Sequence, residues 1–579
     1  MLIKSVLFVI AAAVTFIGAS QVNAVEQKHV PRIDQMADVP QPLQVIDFRA
    51  LARDFDRKVY DFNAKGDHWP LVWWDRSGVN FNQPVVAIYT AIGDSRQGAA
   101  VNKGQFHEAL TSMGSVLGAT LVGIDKSRGL NYVGMLKNYF NRETGWNIMQ
   151  NNTNPAAGLL GGGYGRDWWY DVYPNVLFYG IYSQYPHEKD FDWMARSIAE
   201  KFYQADQILN GNYHYSFFDY KNMMPMSSAI CAQPDAAAGH SYVLYNAYKK
   251  FGDARYLNGA KRALSALEGL TVNPSYEVLM PFGAYMAARM NAEQGTSYDV
   301  GKMLDFALDG TAVCREGWGA LVGNWNGIEI SGIVGSTVDN GGYGFLMNTY
   351  DMAWPLIPLV RYDQSYANAI GKWALNAANA AKLFYPDHTG NTNQTLKAKS
   401  AVTKGVIAYE GLSKTTGYDQ YKSVTTSPVA QGDGPRWTPT NPDVSQFSVY
   451  GSAHVGLFGG IIRKTNIEGI LQLDLLATDF FHDRAYPTYL LSNPFASAKR
   501  VHVALPRGTH DLYDTVTGRF IAHHLRVAQA GERNELGVAT VTVPAHGSVV
   551  LVVTPAGGRL TKRGNHRLLN GVVIDYHAN

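Results

Sequence analysis

The connections between the helical segments of this chain alternate between short and long, and this alternation limits how the chain can fold. Apolar residues recur at helical spacing in about twelve segments, most of them between residues 105 and 414. Short turns lie near residues 125, 187, 252, 296 and 362. Long connections cover 141–167, 210–234, 311–342 and 385–400, with a brief one at 271–276. In a ring of antiparallel hairpins, alternate connections emerge at opposite ends, so we expect the long ones to gather at one mouth.

The predicted helices follow one another in pairs. They cover residues 105–123, 128–140, 168–185, 189–209, 235–250, 254–270, 277–293, 298–310, 343–360, 364–384 and 401–414. The turn between the fifth and sixth is the clearest, because Gly252 suits the left-handed position after a helix and Asp253 suits the N-cap of the next. These segments predict a helical ring over residues 105–425.

The two flanks of the ring have a different pattern. Residues 25–104 form a mixed segment with one amphipathic helix at 48–62, and 426–485 is a connecting region rich in Gly and Pro. Short alternating or apolar runs bounded by turn residues follow, and they predict a β-module at 486–556. Residues 557–579 have the composition of a basic, weakly structured tail.

The N-terminus has the three parts of a signal peptide. Lys4 precedes a short apolar run, and the small-residue pattern ending at Ala24 suits signal peptidase. The run is shorter than the ~20 residues that a helix needs to span a bilayer. We therefore expect residues 1–24 to be removed and the protein to be secreted or periplasmic. That setting permits a disulfide between Cys231 and Cys314, but two free thiols remain the alternative.

Composition excludes some partners and favours another. Lysine and arginine total 50 against 48 acidic residues, a balance that favours neither nucleic acid nor an anionic membrane. Aromatic residues make up 12% of the chain, and many of them lie in the polar, glycine-rich connections. Sugars present flat C–H faces and many hydroxyls, so rings mixed with Asn, Asp and His suit a carbohydrate.

Taken together, the signal peptide, the helical hairpins, the one-sided aromatic connections and the β-module resemble the (α/α)6-toroid carbohydrate-active enzymes. That group contains glycoside hydrolases and polysaccharide lyases. The resemblance implies a mainly α fold, an (α/α)6 toroid followed by a C-terminal β-sandwich-like module, acting on a poly- or oligosaccharide. It is a resemblance of architecture, so it assigns no catalytic residue.

The densest group of candidate residues stands at the start of the helix at 168–185. A glycine-rich run leads into Arg166, Asp167, Trp168, Trp169 and Asp171. Asp167 is predicted to be catalytic and the other four to bind substrate, with Asp167 and Asp171 on one helix face. The alternative for Asp167 is a plain N-cap.

Two further segments carry candidates of the same kind. Asp235 is predicted to be catalytic at the start of the next inner helix, although an N-cap role is again the alternative. Glu316 is the third predicted catalytic residue, since Arg315 stands beside it and a pocket can tune such a carboxyl group. The predicted substrate-binding residues around these two segments are Glu143, His214, His240, Tyr242, Trp318 and Trp325.

The sequence predicts a glycoside hydrolase, with a polysaccharide lyase and a glycan-binding protein as the alternatives. A glycoside hydrolase needs two carboxyl groups, which the aromatic connections supply. A polysaccharide lyase would use Tyr or His to abstract a proton, with a cation against a uronate, and a glycan-binding protein would need the rings alone. We expect no cofactor and no metal, because the common metal, nucleotide and serine-hydrolase motifs are absent from the sequence.

Overall fold

The structure, a computed structural model, describes residues 24–66, 69–90, 107–153, 167–397, 400–415, 426–432, 447–528 and 536–578. Residues 1–23 of the predicted signal peptide and the candidate Arg166 lie outside these ranges.

Helices are the main regular elements of the first four hundred residues. They are α1 Pro31–Asp34, α2 Phe48–Val59, α3 Ala109–Leu121, α4 Tyr132–Met135, α5 Trp168–Gln184, α6 Phe191–Leu209, α7 Ala236–Phe251, α8 Ala254–Glu268, α9 Met280–Gln294, α10 Val300–Leu308, α11 Leu346–Tyr362, α12 Ala367–Ala380, α13 Ser400–Thr403, α14 Val449–Ser452 and α15 Val455–Ile461.

Strands occur as small pairs along the helical region and as longer elements near the C-terminus. They are β1 Val72–Asp75, β2 Val85–Ile88, β3 Phe217–Asp219, β4 Met224–Met226, β5 Trp318–Ala320, β6 Asn324–Trp325, β7 Ile328–Glu329, β8 Val334–Ser336, β9 Tyr343–Phe345, β10 Ala408–Tyr409, β11 Gly411–Ser413, β12 Val429–Gln431, β13 Phe447–Ser448, β14 Ile462–Lys464, β15 Leu471–Asp474, β16 Thr488–Ser492, β17 Lys499–Pro506, β18 Gly508–Asp514, β19 Arg519–Val527, β20 Leu536–Val543, β21 Ser548–Pro555, β22 Leu560–Arg563, β23 His566–Leu569 and β24 Val572–Asp575.

The predicted turn between α7 and α8 forms as its residues require. Gly252 has φ +72°, which a residue without Cβ adopts at no steric cost. The Asp253 side chain accepts a hydrogen bond from the backbone N–H of Arg255 and caps α8. Short turns of this kind also link α5 to α6, α9 to α10 and α11 to α12.

Six helices pack in a cyclic order. α3 contacts α5, α5 contacts α7, α7 contacts α9, α9 contacts α11, α11 contacts α15, and α15 contacts α3. The helices α6, α8, α10 and α12 lie against members of this group, and α2 packs on α15. The helical body therefore extends past the predicted limit at 425, since α14 and α15 at residues 449–461 complete the cycle.

The segment predicted as a helix at 401–414 contains only α13, followed by β10 and β11. Gly405 has φ +65°, which breaks the helical path directly after α13. β11 then enters a five-stranded antiparallel sheet in the order β12-β11-β9-β8-β5. That sheet organises much of the long 311–342 connection.

The C-terminal β-module packs on the helical body. Its larger sheet has the order β14-β15-β16-β21-β18-β19, β17 pairs with β20, and α12 contacts both β16 and β21. The tail predicted to be weakly structured instead forms the sheet β22-β23-β24. Near its end, the His577 Nε2 lies 2.6 Å from the carbonyl oxygen of Tyr362 in α11, which ties the tail to the helices.

Candidate active site

The long connections meet at the end of the helical body where α5, α7, α9 and α11 begin. The backbone N–H of Trp168, the first residue of α5, donates to the carbonyl oxygen of Ser216 in the 210–234 connection (3.1 Å). The ring of Trp146, from the connection before α5, lies 6.4 Å from the ring of Tyr220. We call this end of the molecule the mouth.

A disulfide ties two of the long connections together at the mouth. It joins Cys231, in the 210–234 connection, to Cys314, in the 311–342 connection. The sequence left this pairing open, and the structure makes it a covalent link between two walls of the site. A cross-link over such a span restricts the unfolded chain more than the folded one.

Asp167 occupies the N-cap position of α5, yet its side chain does not cap the helix. The Gln233 side chain does so instead, because its Oε1 accepts from the backbone N–H of Trp169 (3.0 Å). Gln233 Nε2 then donates to Asp167 Oδ1, and the Tyr276 hydroxyl donates to Asp167 Oδ2 (3.3 Å). The carboxyl group is thus turned toward the side chains of the mouth.

Asp235 repeats this arrangement at α7. It stands at the N-cap position without capping, and none of its surface is exposed. Its Oδ2 accepts from the backbone N–H of Tyr276 (2.9 Å), and Oδ1 has no hydrogen-bond partner among the described residues. Tyr276 therefore contacts both predicted catalytic aspartates, one through its main chain and the other through its hydroxyl.

The two carboxyl groups are perturbed in the same direction. Burial raises the pKa of Asp167 to about 6, against the lowering effects of hydrogen bonds from Gln233 and Tyr276 and of the Arg315 charge. Burial also raises the pKa of Asp235 well above its ordinary value, and the nearby Asp167 charge adds to the rise. Neighbouring buried carboxylates resist ionising together, so the pair retains a proton more readily than two isolated aspartates.

Arg315 is fixed by contacts on several sides. Its guanidinium bonds Glu277 and Asp339 (2.8 Å to Asp339 Oδ2) and lies 3.8 Å from the centre of the Trp318 ring. The second oxygen of Glu277 accepts from the Asn348 amide (2.6 Å). Glu277 is 8% exposed, so this ion pair stands at the edge of the mouth rather than in open solvent.

Three predicted site residues lie on the surface. Glu316 is exposed, and its backbone carbonyl accepts from the Ser336 hydroxyl (2.6 Å), while the neighbouring Arg315 bonds Glu277 instead. Glu143 is exposed and pairs with its neighbour Arg142, and His214 is exposed as well. The prediction that Arg315 acts on its neighbour Glu316 is wrong, because Arg315 pairs with Glu277 from another connection.

Three others lie in the core, where no sugar reaches them. The Trp168 ring is fully buried and stacks on Tyr213 at 5.7 Å. His240 Nε2 lies 2.7 Å from the Tyr220 hydroxyl, and burial lowers the pKa of His240 to about 3. Tyr242 is fully buried too. Their places correct the prediction that they bind substrate, since large rings at helix starts serve packing here.

The remaining predicted residues are buried close to the mouth. Trp169 lies beside Asp167, and a hydrogen bond between the two side chains lowers the pKa of that carboxyl. Asp171 is fully buried one turn further along α5. Trp318 donates from Nε1 to the carbonyl oxygen of Glu277 (3.0 Å), and Trp325 lies in the small strand β6.

Sequence reasoning missed several polar groups at the mouth. Tyr276 ends the brief connection predicted at 271–276, and Glu277 was predicted to be the first residue of the helix at 277–293, which starts instead at Met280. Glu108, at the N-cap position of α3, and Glu410, between β10 and β11, are buried. Burial raises the pKa of Tyr450, and the charges of Glu108 and Glu410 add to the rise. A signal was available for Glu108, which directly precedes α3, whereas Glu277 stands three residues before the start of α9.

The described residues contain neither a cluster of metal-ligating side chains nor a membrane-spanning helix. Within the part of the chain that the structure describes, no three His, Cys, Asp or Glu side chains are grouped as a metal site would require. In the same residues, no helix combines the length and the apolar character needed to cross a membrane.

Comparisons with known proteins give resemblance in structure alone. No protein family and no curated protein sequence matches the chain. A GH127 β-L-arabinofuranosidase from Geobacillus stearothermophilus T6 has a TM-score of 0.36 and 12% identity over 92% of this chain and 86% of its own. A second GH127 β-arabinofuranosidase has a TM-score of 0.38 and 11% identity over 92% and 84%.

An α-L-rhamnosidase from Dictyoglumus thermophilum has a TM-score of 0.31 and 10% identity over 82% of this chain and 51% of its own. These solved structures are all glycosidases. Their TM-scores lie below 0.5, so the function of this chain is inferred from its own residues.

Proposed function

We propose that the protein is a glycoside hydrolase that cleaves a poly- or oligosaccharide at the mouth, with Asp167 as the general acid. A general acid must hold a proton near the working pH and must face the substrate. Asp167 meets both needs, because its pKa is raised to about 6 and 7% of the residue stays exposed. Asp235 has no exposed surface, and it lies close enough to Asp167 for the two charges to interact.

The observation that carries this proposal is that Asp167 does not cap its helix. A capping aspartate stabilises a helix by about 1 kcal/mol. Asp253 and Asp299 do cap theirs, each accepting a backbone N–H at 2.9 Å. Asp167 forgoes that contact, and a separate residue, Gln233, caps α5 in its place. A carboxyl group that leaves helix capping to another residue, and is bonded instead by Gln233 and Tyr276, fits a chemical role.

We also infer that the helical body is an (α/α)6 toroid. The cyclic contacts of α3, α5, α7, α9, α11 and α15 support this, as do the outer helices packed against them. The short turns at one end and the long connections at the other follow the same arrangement. In such a scaffold the mouth is the natural place for a bound glycan.

The charge at the mouth favours hydrolysis over lyase chemistry. A lyase needs a cation to neutralise a uronate carboxylate. Arg315, the cation that acts on Asp167, is already paired with Glu277 and Asp339. Three histidines could serve a lyase; His240 and His454 are buried in the core, and His214 is exposed.

Incubation of the purified protein with a panel of neutral, amino and uronic-acid glycans tests the proposal. A hydrolase releases new reducing ends without ultraviolet absorbance. Reducing ends that appear with the absorbance of a conjugated C=C bond would identify a lyase, and binding without cleavage would identify a glycan-binding protein. Either of these two results overturns the proposed function.

We further propose that the protein is exported. The Cys231–Cys314 disulfide supports this, because such bonds persist in the periplasm and outside the cell and are rare in the cytosol. N-terminal sequencing of the protein recovered from its source tests export. Processing after Ala24 is expected, and a retained Met1 would contradict it.

A further inference from the structure

We infer that Glu277 is the second catalytic carboxylate, acting at the anomeric carbon opposite the proton donor Asp167. This inference rests on the proposed hydrolase function. The sequence had assigned the second position to Asp235 or Glu316, and the structure gives physical reasons against both. Asp235 has no exposed surface. Glu316 is exposed to solvent, and its backbone carbonyl accepts a hydrogen bond from the Ser336 hydroxyl.

Glu277 and Asp167 are joined by a continuous set of contacts. Tyr276, the residue before Glu277, donates its hydroxyl to Asp167. Arg315 bonds Glu277, and its charge also acts on the Asp167 carboxyl. The two carboxyl groups, before the starts of α5 and α9, therefore share Tyr276 and Arg315 as neighbours.

The surroundings of the two groups suit opposite roles. Glu277 receives one oxygen contact from the Arg315 guanidinium and one from the Asn348 amide (2.6 Å), and both donors stabilise the ionised form. Burial favours the protonated form of Asp167, and it outweighs the hydrogen bonds from Gln233 and Tyr276, which act the other way. Paired carboxyl groups held in opposite protonation states are what glycosidic cleavage requires.

The backbone at Glu277 is consistent with a functional position. Its φ is +57°, in the left-handed region that residues with a Cβ seldom adopt. Such strained positions persist where the surrounding contacts fix them, and they cluster at active sites. Here the strain lets two consecutive residues face different partners, with Tyr276 toward the aspartates and Glu277 toward Arg315.

The reaction balances with water as the only other reactant. The bond between the anomeric carbon and the glycosidic oxygen breaks, and the leaving oxygen takes the proton of Asp167. The new bond to the anomeric carbon comes from the Glu277 carboxylate, later displaced by water, or from water that Glu277 deprotonates. In the first route the ionised Asp167 takes a proton from the incoming water, so it is protonated again while Glu277 leaves as a carboxylate. In the second route Glu277 passes the proton taken from water to the solvent and Asp167 takes one from it, so both groups return to their starting states.

Glu277→Gln, Glu277→Ala and the control Glu468→Gln, an exposed position between β14 and β15, test this inference. Turnover is measured on an aryl glycoside of the sugar that the wild type cleaves, with a good leaving group. Such a substrate needs little proton donation, so Asp167→Asn should retain much of its rate. Glu277→Gln should lose about 10²–10⁴-fold on it, the range expected for a catalytic acid or base, while Glu468→Gln keeps the wild-type rate.

Chemical rescue separates a catalytic role from a structural one. Sodium azide should restore turnover of Glu277→Ala and yield a glycosyl azide, since the small anion replaces the oxygen that Glu277 supplies or activates. The inference is overturned if Glu277→Gln keeps its rate, or if folded Glu277→Ala gives no glycosyl azide. A wild type that cleaves no glycan in the panel would instead overturn the proposed function itself.

Discussion

His454 and Asp351 form a fully buried pair in which His454 Nδ1 lies 2.5 Å from Asp351 Oδ1. His454 Nε2 lies 3.1 Å from the carbonyl oxygen of Leu110, which can only accept, so Nε2 must carry a hydrogen. Nδ1 faces the Asp351 carboxyl group, so the two ends of the imidazole ring contact two different helices. The pair connects α11 with the junction of α14 and α15, and the Leu110 contact adds α3. It therefore lies where α15 and α3 close the cycle of six helices.

Removing the carboxyl group of this pair should destabilise the fold strongly. Asp351→Ala leaves His454 without its partner and is expected to lower the free energy of unfolding by about 3–5 kcal/mol. Asp351→Asn should cost less, because its amide can donate to Nδ1. Denaturant unfolding measures both, with Asp54→Ala in an exposed pair with Arg57 as the control. Equal losses for Asp351→Ala and Asp54→Ala would contradict the account.

The same junction depends on two glycines. A Cβ added at Gly456 in α15 would overlap the backbone of Gly118 in α3. Gly456→Ala should therefore destabilise the protein by about 1–3 kcal/mol, the usual cost of an overfilled core. The control is Gly269→Ala, where φ is −70° and the nearest atoms lie at 3.5 Å. A normal thermal midpoint for Gly456→Ala would show that α3 and α15 do not pack this closely.

The sequence predicted local features well and long-range pairing poorly. The Gly252 turn, the starts of α5 and α7, and the β-module all follow from local periodicity and turn chemistry. The role of Glu277 does not, because its guanidinium partner comes from a connection thirty-eight residues away, and its φ of +57° has no local signature. The helix α15, which completes the cycle of six helices, was also not predicted, because its glycine-rich sequence gives a weak helical signal.

Ionisation of the Asp167 carboxyl group should lower the free energy of unfolding as the pH rises. Its pKa is about 6 in the fold against an ordinary 3.8, so the folded state holds the proton more tightly. The stability from Asp167 is full below pH 3.8 and is lost as the pH rises through 6. Asp167→Asn should therefore be more stable than wild type above pH 6, by up to about 3 kcal/mol, and similar to it near pH 4. Thermal midpoints across this range test it, and a difference independent of pH would contradict it.

Tyr276 should set the pH range of activity. Its hydroxyl bonds Asp167 and favours the ionised carboxylate, so Tyr276→Phe should raise the pKa of Asp167. A general acid works while protonated, and the fall of kcat/KM at high pH should move to higher pH in the variant. A pH–rate profile measures this shift. A profile unchanged in position, with only the height reduced, would show that the hydrogen bond does not tune Asp167.

Breaking the disulfide should loosen the mouth. The Cys231–Cys314 bond spans 83 residues, for which the chain-entropy account gives about 4 kcal/mol of stabilisation. The Cys231→Ser, Cys314→Ser double variant should show a lower thermal midpoint and a raised KM, because the bond holds two walls of the site. Scanning calorimetry and steady-state kinetics check both. An unchanged KM would mean that these walls do not contact substrate.

The most direct test of the account compares Asp167→Asn with Asp253→Asn on a glycan that the wild type cleaves. Asp253 caps α8, where asparagine caps as well as aspartate, and Asp167 does not cap α5, so neither change should harm the helices. Asp253→Asn should keep the wild-type kcat, whereas Asp167→Asn should lose about 10²–10⁴-fold while still binding the glycan. Near-normal turnover in Asp167→Asn would contradict the central claim that this carboxyl group is the proton donor.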